Sequence, residues 1–111
     1  MGYDLHVTRA DNWESNVGQW IREEEWLRVI RDDPELDADP ANGPYSANWL
    51  TSRRATWFDW SDGNVYTTDP DRDAVGKLLD IAFRLRAGVQ GDNGENYQDP
   101  TEWTVPGAEA D

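Results

Sequence analysis

The chain has 111 residues, no cysteine, and a formal charge of −13 from 10 basic and 23 acidic side chains. That length suits one domain. The missing cysteine excludes disulfides, thiolate catalysis and cysteine-based metal sites, which fits a reducing cytoplasm. The charge repels phosphate backbones and anionic lipid, so nucleic acid and membrane surfaces are poor partners; it attracts basic proteins and speeds encounter with them.

A mean hydropathy of −0.91 and an apolar fraction of 37% put the chain at the hydrophilic edge of globular proteins, yet seven tryptophans argue against disorder. The bland reading of the acidity is solubility or adaptation to salt, at some expense in self-repulsion. No basic region followed by an apolar stretch marks a signal peptide at Met1-Gly2-Tyr3-Asp4. No apolar run reaches the ~20 residues that span a bilayer.

In chain order, Tyr3, Leu5 and Val7 alternate with Asp4, His6 and Thr8, the period of a half-buried strand. Residues 11–18 are polar and predict a surface loop around Trp13. A helix is expected over Ile21 to Asp33, with Glu23, Glu24 and Glu25 favoured by the dipole in its first turn. Trp26, Leu27 and Ile30 give it an apolar stripe, Ile21 a staple, and Pro34 its end. Residues 35–46 predict an acidic loop broken by Pro40, Gly43 and Pro44.

Residues 48–60 read as extended, with residues 55–60 the best-formed part and Asn48 to Leu50 a candidate short separate strand. Asp62-Gly63 is a hairpin signal, after which Val65 to Thr68 pairs back. The second helix has Asp69 as expected N-cap, Pro70 at its first position, and a face of Ala74, Leu78, Ile81, Ala82 and Leu85. Gly88 is its expected C-cap. Val89 and Gln90 resume extended structure, and Gly91-Asp92-Asn93-Gly94-Glu95 supplies a bend toward Tyr97.

The order strand, helix, strand, strand, helix, strand predicts an α+β fold of the split βαβ kind: a four-stranded antiparallel sheet with both helices on one face. The domain is expected over residues 1–98. Residues 99–111 form an acidic, Pro- and Gly-containing tail that Trp103 and Val105 could pin down.

Tyr3-Asp4-Leu5-His6-Val7-Thr8-Arg9-Ala10, Glu25-Trp26-Leu27, Asp33-Pro34-Glu35-Leu36, Trp57-Phe58-Asp59 and Val89-Gln90-Gly91-Asp92-Asn93-Gly94-Glu95 together resemble a family of short acidic bacterial proteins. That family looks like the immunity proteins found beside secreted polymorphic toxins. The resemblance spans Tyr3 to about Tyr97, and its first and last segments are the most specific. Two departures stand out: Gly18-Gln19-Trp20-Ile21-Arg22 replaces a Pro-Ile-Ser/Thr helix start, and Asn93 stands where Asp is expected. The resemblance implies a binding function and no catalytic group.

The residues agree with that implication. His6 is the only histidine, so neither a two-histidine metal site nor a histidine-paired cysteine can be built. Gly91 to Glu95 lacks the twelve-residue pattern of a calcium loop and reads as a turn. No phosphate loop occurs. The expectation is therefore a non-enzyme with no cofactor and no metal. Its basic protein partner would be met by Asp32, Asp33, Asp37 and Asp39 in one loop and by Asp59 and Asp62 in the hairpin. Trp49 and Trp60 would serve as apolar anchors, because tryptophan is enriched at interface hot spots. The alternative partner is a basic nucleic-acid-handling protein, met by the same acids acting as a nucleic-acid mimic.

Overall fold

The computed structural model describes residues 2–102. Strand β1 (Asp4–Thr8) leads to helix α1 (Glu23–Asp32), short strands β2 (Leu36–Ala38) and β3 (Ala47–Trp49), the hairpin β4 (Trp57–Ser61) and β5 (Asn64–Thr68), helix α2 (Arg72–Arg84), and the hairpin β6 (Gly88–Gly91) and β7 (Asn96–Tyr97). One-turn 3-10 helices occupy Pro40–Asn42 and Pro100–Glu102.

The expected four-stranded sheet is not what forms. The sheet has seven strands in the order β2-β3-β4-β5-β1-β6-β7, every neighbouring pair antiparallel. The excess lies in β2, β3 and β7, which are two or three residues long. Strands that short carry no alternation for a sequence pattern to detect. They exist because a longer neighbour supplies the ladder: Ala47 and Asn48 pair with Phe58 and Trp57, and Tyr97 with Val89.

Cross-strand partners share a face, so the register sorts every strand residue. Leu5, Val7, Val65, Phe58, Ala47, Leu36 and Val89 lie on one face, all buried. They join Trp26, Val29 and Ile30 of α1 with Val75, Leu78 and Ile81 of α2 in one core. Each Val, Leu, Ile or Phe side chain among them contributes about 1.5–3 kcal/mol by leaving water. Trp26 is fully buried and its indole N–H donates to the Tyr45 carbonyl at 2.8 Å, so no donor is stranded.

The helix ends depart from expectation in instructive ways. Arg22 stands at the α1 N-cap without an acceptor to offer; Glu25 reaches back instead and accepts the Arg22 N–H at 3.0 Å. At α2 the cap is Asp71, which accepts from Ala74 N at 2.8 Å, and not Asp69. Asp69 takes a positive φ of 49° and is bound to β1: its carboxylate accepts from Tyr3 N and its own N–H donates to Tyr3 O. At the other end the left-handed residue is Arg86, two positions before Gly88, which opens β6. Gly76 stays small beneath Pro100, which packs on α2. Trp103 and Val105 lie outside the described residues.

Candidate functional site

Among the described residues, no helix packs on the other sheet face. It carries Asp4, His6 and Thr8 from β1 and Asn64, Tyr66 and Thr68 from β5. Trp57, Asp59 and Ser61 come from β4, Asp37 and Asn48 from the β2–β3 edge, and Gln90 and Asn96 from the far side. No strand contains a lysine or arginine: all ten lie on helices and loops. The strands of the open face thus contribute carboxylates and no lysine or arginine, while Arg54 from the β3–β4 loop lines a small hollow beside Trp57 and Thr68.

Part of this face is covered by residues 9–20, which cross the end of the sheet. Trp13 N donates to the Gln90 side chain at 2.9 Å and Asn64 donates to Trp13 O at 3.0 Å. Asn16 holds the Asp62 carbonyl at 2.7 Å and Asn64 at 3.2 Å. These bonds lay the Trp13 ring flat on His6, centroids 3.6 Å apart and planes 7° from parallel. The chain then rounds the β4–β5 turn, where Ile21 N donates to Gly63 O at 2.9 Å, and enters α1 on the opposite face.

The covering segment leaves a cavity of about 530 Å³ walled by Asp4, His6, Trp13, Asn64, Tyr66 and Asp62. A second hollow of about 280 Å³ continues from Tyr66 past Asp59 and Trp57 to Asn48. Tyr66 is common to the two, so they form one furrow across the face, with no cation in either wall. Trp57 and Tyr66 meet edge to face at 5.5 Å in its floor. Burial, then the charges of Asp59 and Asp4, push the Tyr66 phenol above its ordinary pKa, so it remains a hydrogen-bond donor.

One end of the furrow is a polar knot that joins β1 to the β6–β7 turn. His6 Nε2 lies 2.9 Å from Asp92 Oδ1, and Asp92 Oδ2 accepts the Asp4 N–H at 2.9 Å. Thr68 Oγ1 donates to Asp4 Oδ1 at 2.7 Å. Glu95 accepts from the hydroxyls of Tyr3 and Tyr97. Burial pushes the Glu95 carboxyl up, but hydroxyl and backbone donors outweigh it and hold the group low. Among the described residues, Asp4, His6 and Asp92 are the one cluster whose donor atoms could converge on a metal ion.

The residues singled out from sequence are dispersed by the fold. Asp37, Asp59 and Asp62 lie on or beside the open face. Asp39 is occupied locally, accepting from Asn42 at 2.6 Å and Asn48 at 3.2 Å. Asp32 is exposed at the end of α1, away from the furrow, and Asp33 is buried in an ion cluster with Lys77 and Arg84. Trp49 and Trp60 belong to the helix side: their indole N–H groups donate to Glu35 at 3.1 Å and to Ile21 O at 2.9 Å, and both rings pack against the core. The aromatic groups of the open face are Trp13, Trp57 and Tyr66. All three are half-buried. The strand alternation already separates Trp57 from Phe58; what it lacks is the identity of the face the helices cover.

Comparison with protein-family models, with curated proteins and with solved structures finds no match to this chain. No described helix is long and apolar enough to cross a membrane.

Proposed function

We propose that this chain is an immunity-type inhibitor that binds a basic toxin domain across the open sheet face and blocks it by occlusion. One observation carries the reading. Strand alternation and register put Asp4, Asp37 and Asp59 on the sheet face opposite the helices, where the furrow left by residues 9–20 has no lysine or arginine among its described lining residues. Such one-signed surfaces steer an oppositely charged partner and fix its orientation more than they add raw affinity. Trp57 and Tyr66 in the furrow floor supply the aromatic contact area that hot spots use. The resemblance of the β1 and β6–β7 segments to the acidic bacterial family supports the same reading. A cytoplasmic place of action goes with it, since the chain has no cysteine to oxidise.

The test is a pull-down with the product of the adjacent upstream gene at low and high salt. The expected result is a stoichiometric complex whose association slows as salt rises. Capture of a basic nucleic-acid-handling protein in its place would make the chain a nucleic-acid mimic. Absence of either complex would leave the open face without a basic partner and overturn the proposal.

A further inference from the structure

The geometry points to a divalent transition-metal site built from Asp4, His6 and Asp92. Asp4 and His6 are at i and i+2 of β1, so their side chains leave the same side of the strand. Asp92 is 86 positions further on and arrives through the β1–β6 pairing. One donor atom from each of the three lies within 4.8 Å of the other two. Three points so spaced fit within about 2.8 Å of a common centre (4.8 Å divided by √3), against ~2.0–2.2 Å for zinc bonded to imidazole nitrogen or carboxylate oxygen. Rotamer adjustments of about 0.6 Å therefore complete the contacts.

Two carboxylates alone would be an ordinary solvated pair. The histidine distinguishes this cluster. His6 is only 5% exposed, and Trp13 stacks on its ring. Its Nε2 is committed to Asp92, while Nδ1 has no hydrogen-bond partner among the described residues. Among the described residues the one buried, unpartnered side-chain nitrogen or oxygen is Trp13 Nε1, so His6 Nδ1 is not sealed off, and the ring forms part of the cavity wall. An ion between the three donors takes His6 Nε2 and Asp92 as ligands together, in place of the bond they make to each other. Thr68 Oγ1 orients the Asp4 carboxylate from 2.7 Å. A set of one nitrogen and carboxylate oxygens suits Zn²⁺ or Mn²⁺ better than Ca²⁺ or Mg²⁺, which favour all-oxygen shells. The cavity leaves the remaining positions open, as in sites that bind a further ligand.

This inference does not rest on the toxin-binding reading. Its test is calorimetric titration of the metal-free full chain with Zn²⁺ in excess Mg²⁺, which occupies unspecific carboxylates. One saturable Zn²⁺ per chain is expected. His6→Gln and Asp92→Asn should each weaken it at least about tenfold, while Asp59→Asn and Asp62→Asn leave it unchanged. The wild-type chain provides a readout that needs no variant: Mn²⁺ should broaden NMR signals first at His6 and the Trp13 indole. Several weak equivalents indifferent to His6→Gln, no Zn²⁺ binding, or broadening spread over α1 and its acidic turn would overturn the site.

Discussion

Arg9 grips both carboxylate oxygens of Glu25, at 3.0 and 2.6 Å, while its Nε donates to the Leu85 carbonyl at 2.9 Å. One guanidinium thus ties the end of β1 to the first turn of α1 and to the C-terminal end of α2. The planar fork of arginine permits this; a lysine ammonium would make a single point contact.

Glu25 gives this clamp a pH signature. The Arg9 hydrogen bonds, followed by the Arg22 N–H, hold its carboxyl down to about 2. Its unfolded value is about 4.3. The folded pKa is the lower one, so the contribution is complete above about pH 4.3 and is lost as pH falls toward 2. Arg9→Met should cost about 1–3 kcal/mol at pH 7. Urea unfolding at stepped pH checks this: the gap between wild type and variant should narrow below about pH 4.3. A gap independent of pH would show that packing, and not the ion pair, is what Arg9 supplies.

Asp33 should be indispensable to folding rather than to binding. Its carboxylate is 2% exposed and accepts from Lys77 Nζ at 2.7 Å and Arg84 at 2.9 Å. Burial pushes its pKa up, but the Lys77 and Glu35 N–H bonds outweigh that and leave it below the ordinary carboxylate value. Burial likewise pushes Lys77 down, and its bonds to Asp33 and Glu35 carry it above its usual value. Asp33→Ala leaves the buried Lys77 ammonium with Glu35 as its remaining hydrogen-bond partner and should cost about 1–3 kcal/mol. Replacing Asp33 and Lys77 together with Leu and Met should recover much of that loss in chemical denaturation.

Gly63 should resist substitution for two reasons. Asp62 and Gly63 have φ of 49° and 84°, the type I′ hairpin conformation, and a Cβ on Gly63 would run into the Trp20 indole. Trp20 meets Trp60 edge to face at 5.8 Å, so displacing it disturbs the hairpin tip. Gly63→Ala should destabilise by about 1–3 kcal/mol, measured as a lowered denaturation midpoint with a change in tryptophan emission. An unchanged midpoint would mean that Trp20 moves aside freely.

In the proposed complex with a basic toxin domain, open-face acids should control association and helix-side acids should not. Asp37→Asn, Asp59→Asn and Asp62→Asn combined should slow association about tenfold or more at low salt and flatten its salt dependence. Asp32→Asn should change neither. Trp57→Ala should instead raise the dissociation rate, at a cost of about 1–4 kcal/mol if the furrow floor is an anchor. Stopped-flow association and surface-immobilised dissociation separate the two effects. Equal slowing by Asp32→Asn would move the interface to the helix side.

Much of this protein is set by its sequence alone. The helical stripes of α1 and α2, the alternation of β1 and the Asp62-Gly63 turn are local, periodic signals that yield an α+β chain with most core residues in place, although in α1 Val29 is buried and the expected Leu27 is exposed. The large acidic excess follows from composition. Tertiary structure decided the rest, because it depends on contacts between distant segments. Strands of two or three residues have no periodicity of their own and form only against a neighbour, which is why β2 fell in an expected loop and β3 and β7 were not counted in the expected sheet. Face identity is the other case. Alternation places Trp57 opposite Phe58, but only helix packing decides that Phe58 is buried and Trp57 looks onto the furrow, that Trp49 and Trp60 support the core, and that Asp33 is interior. The meeting of His6 with Asp92 is the clearest example: each looks like a polar strand or turn residue, and only the β1–β6 register makes them neighbours.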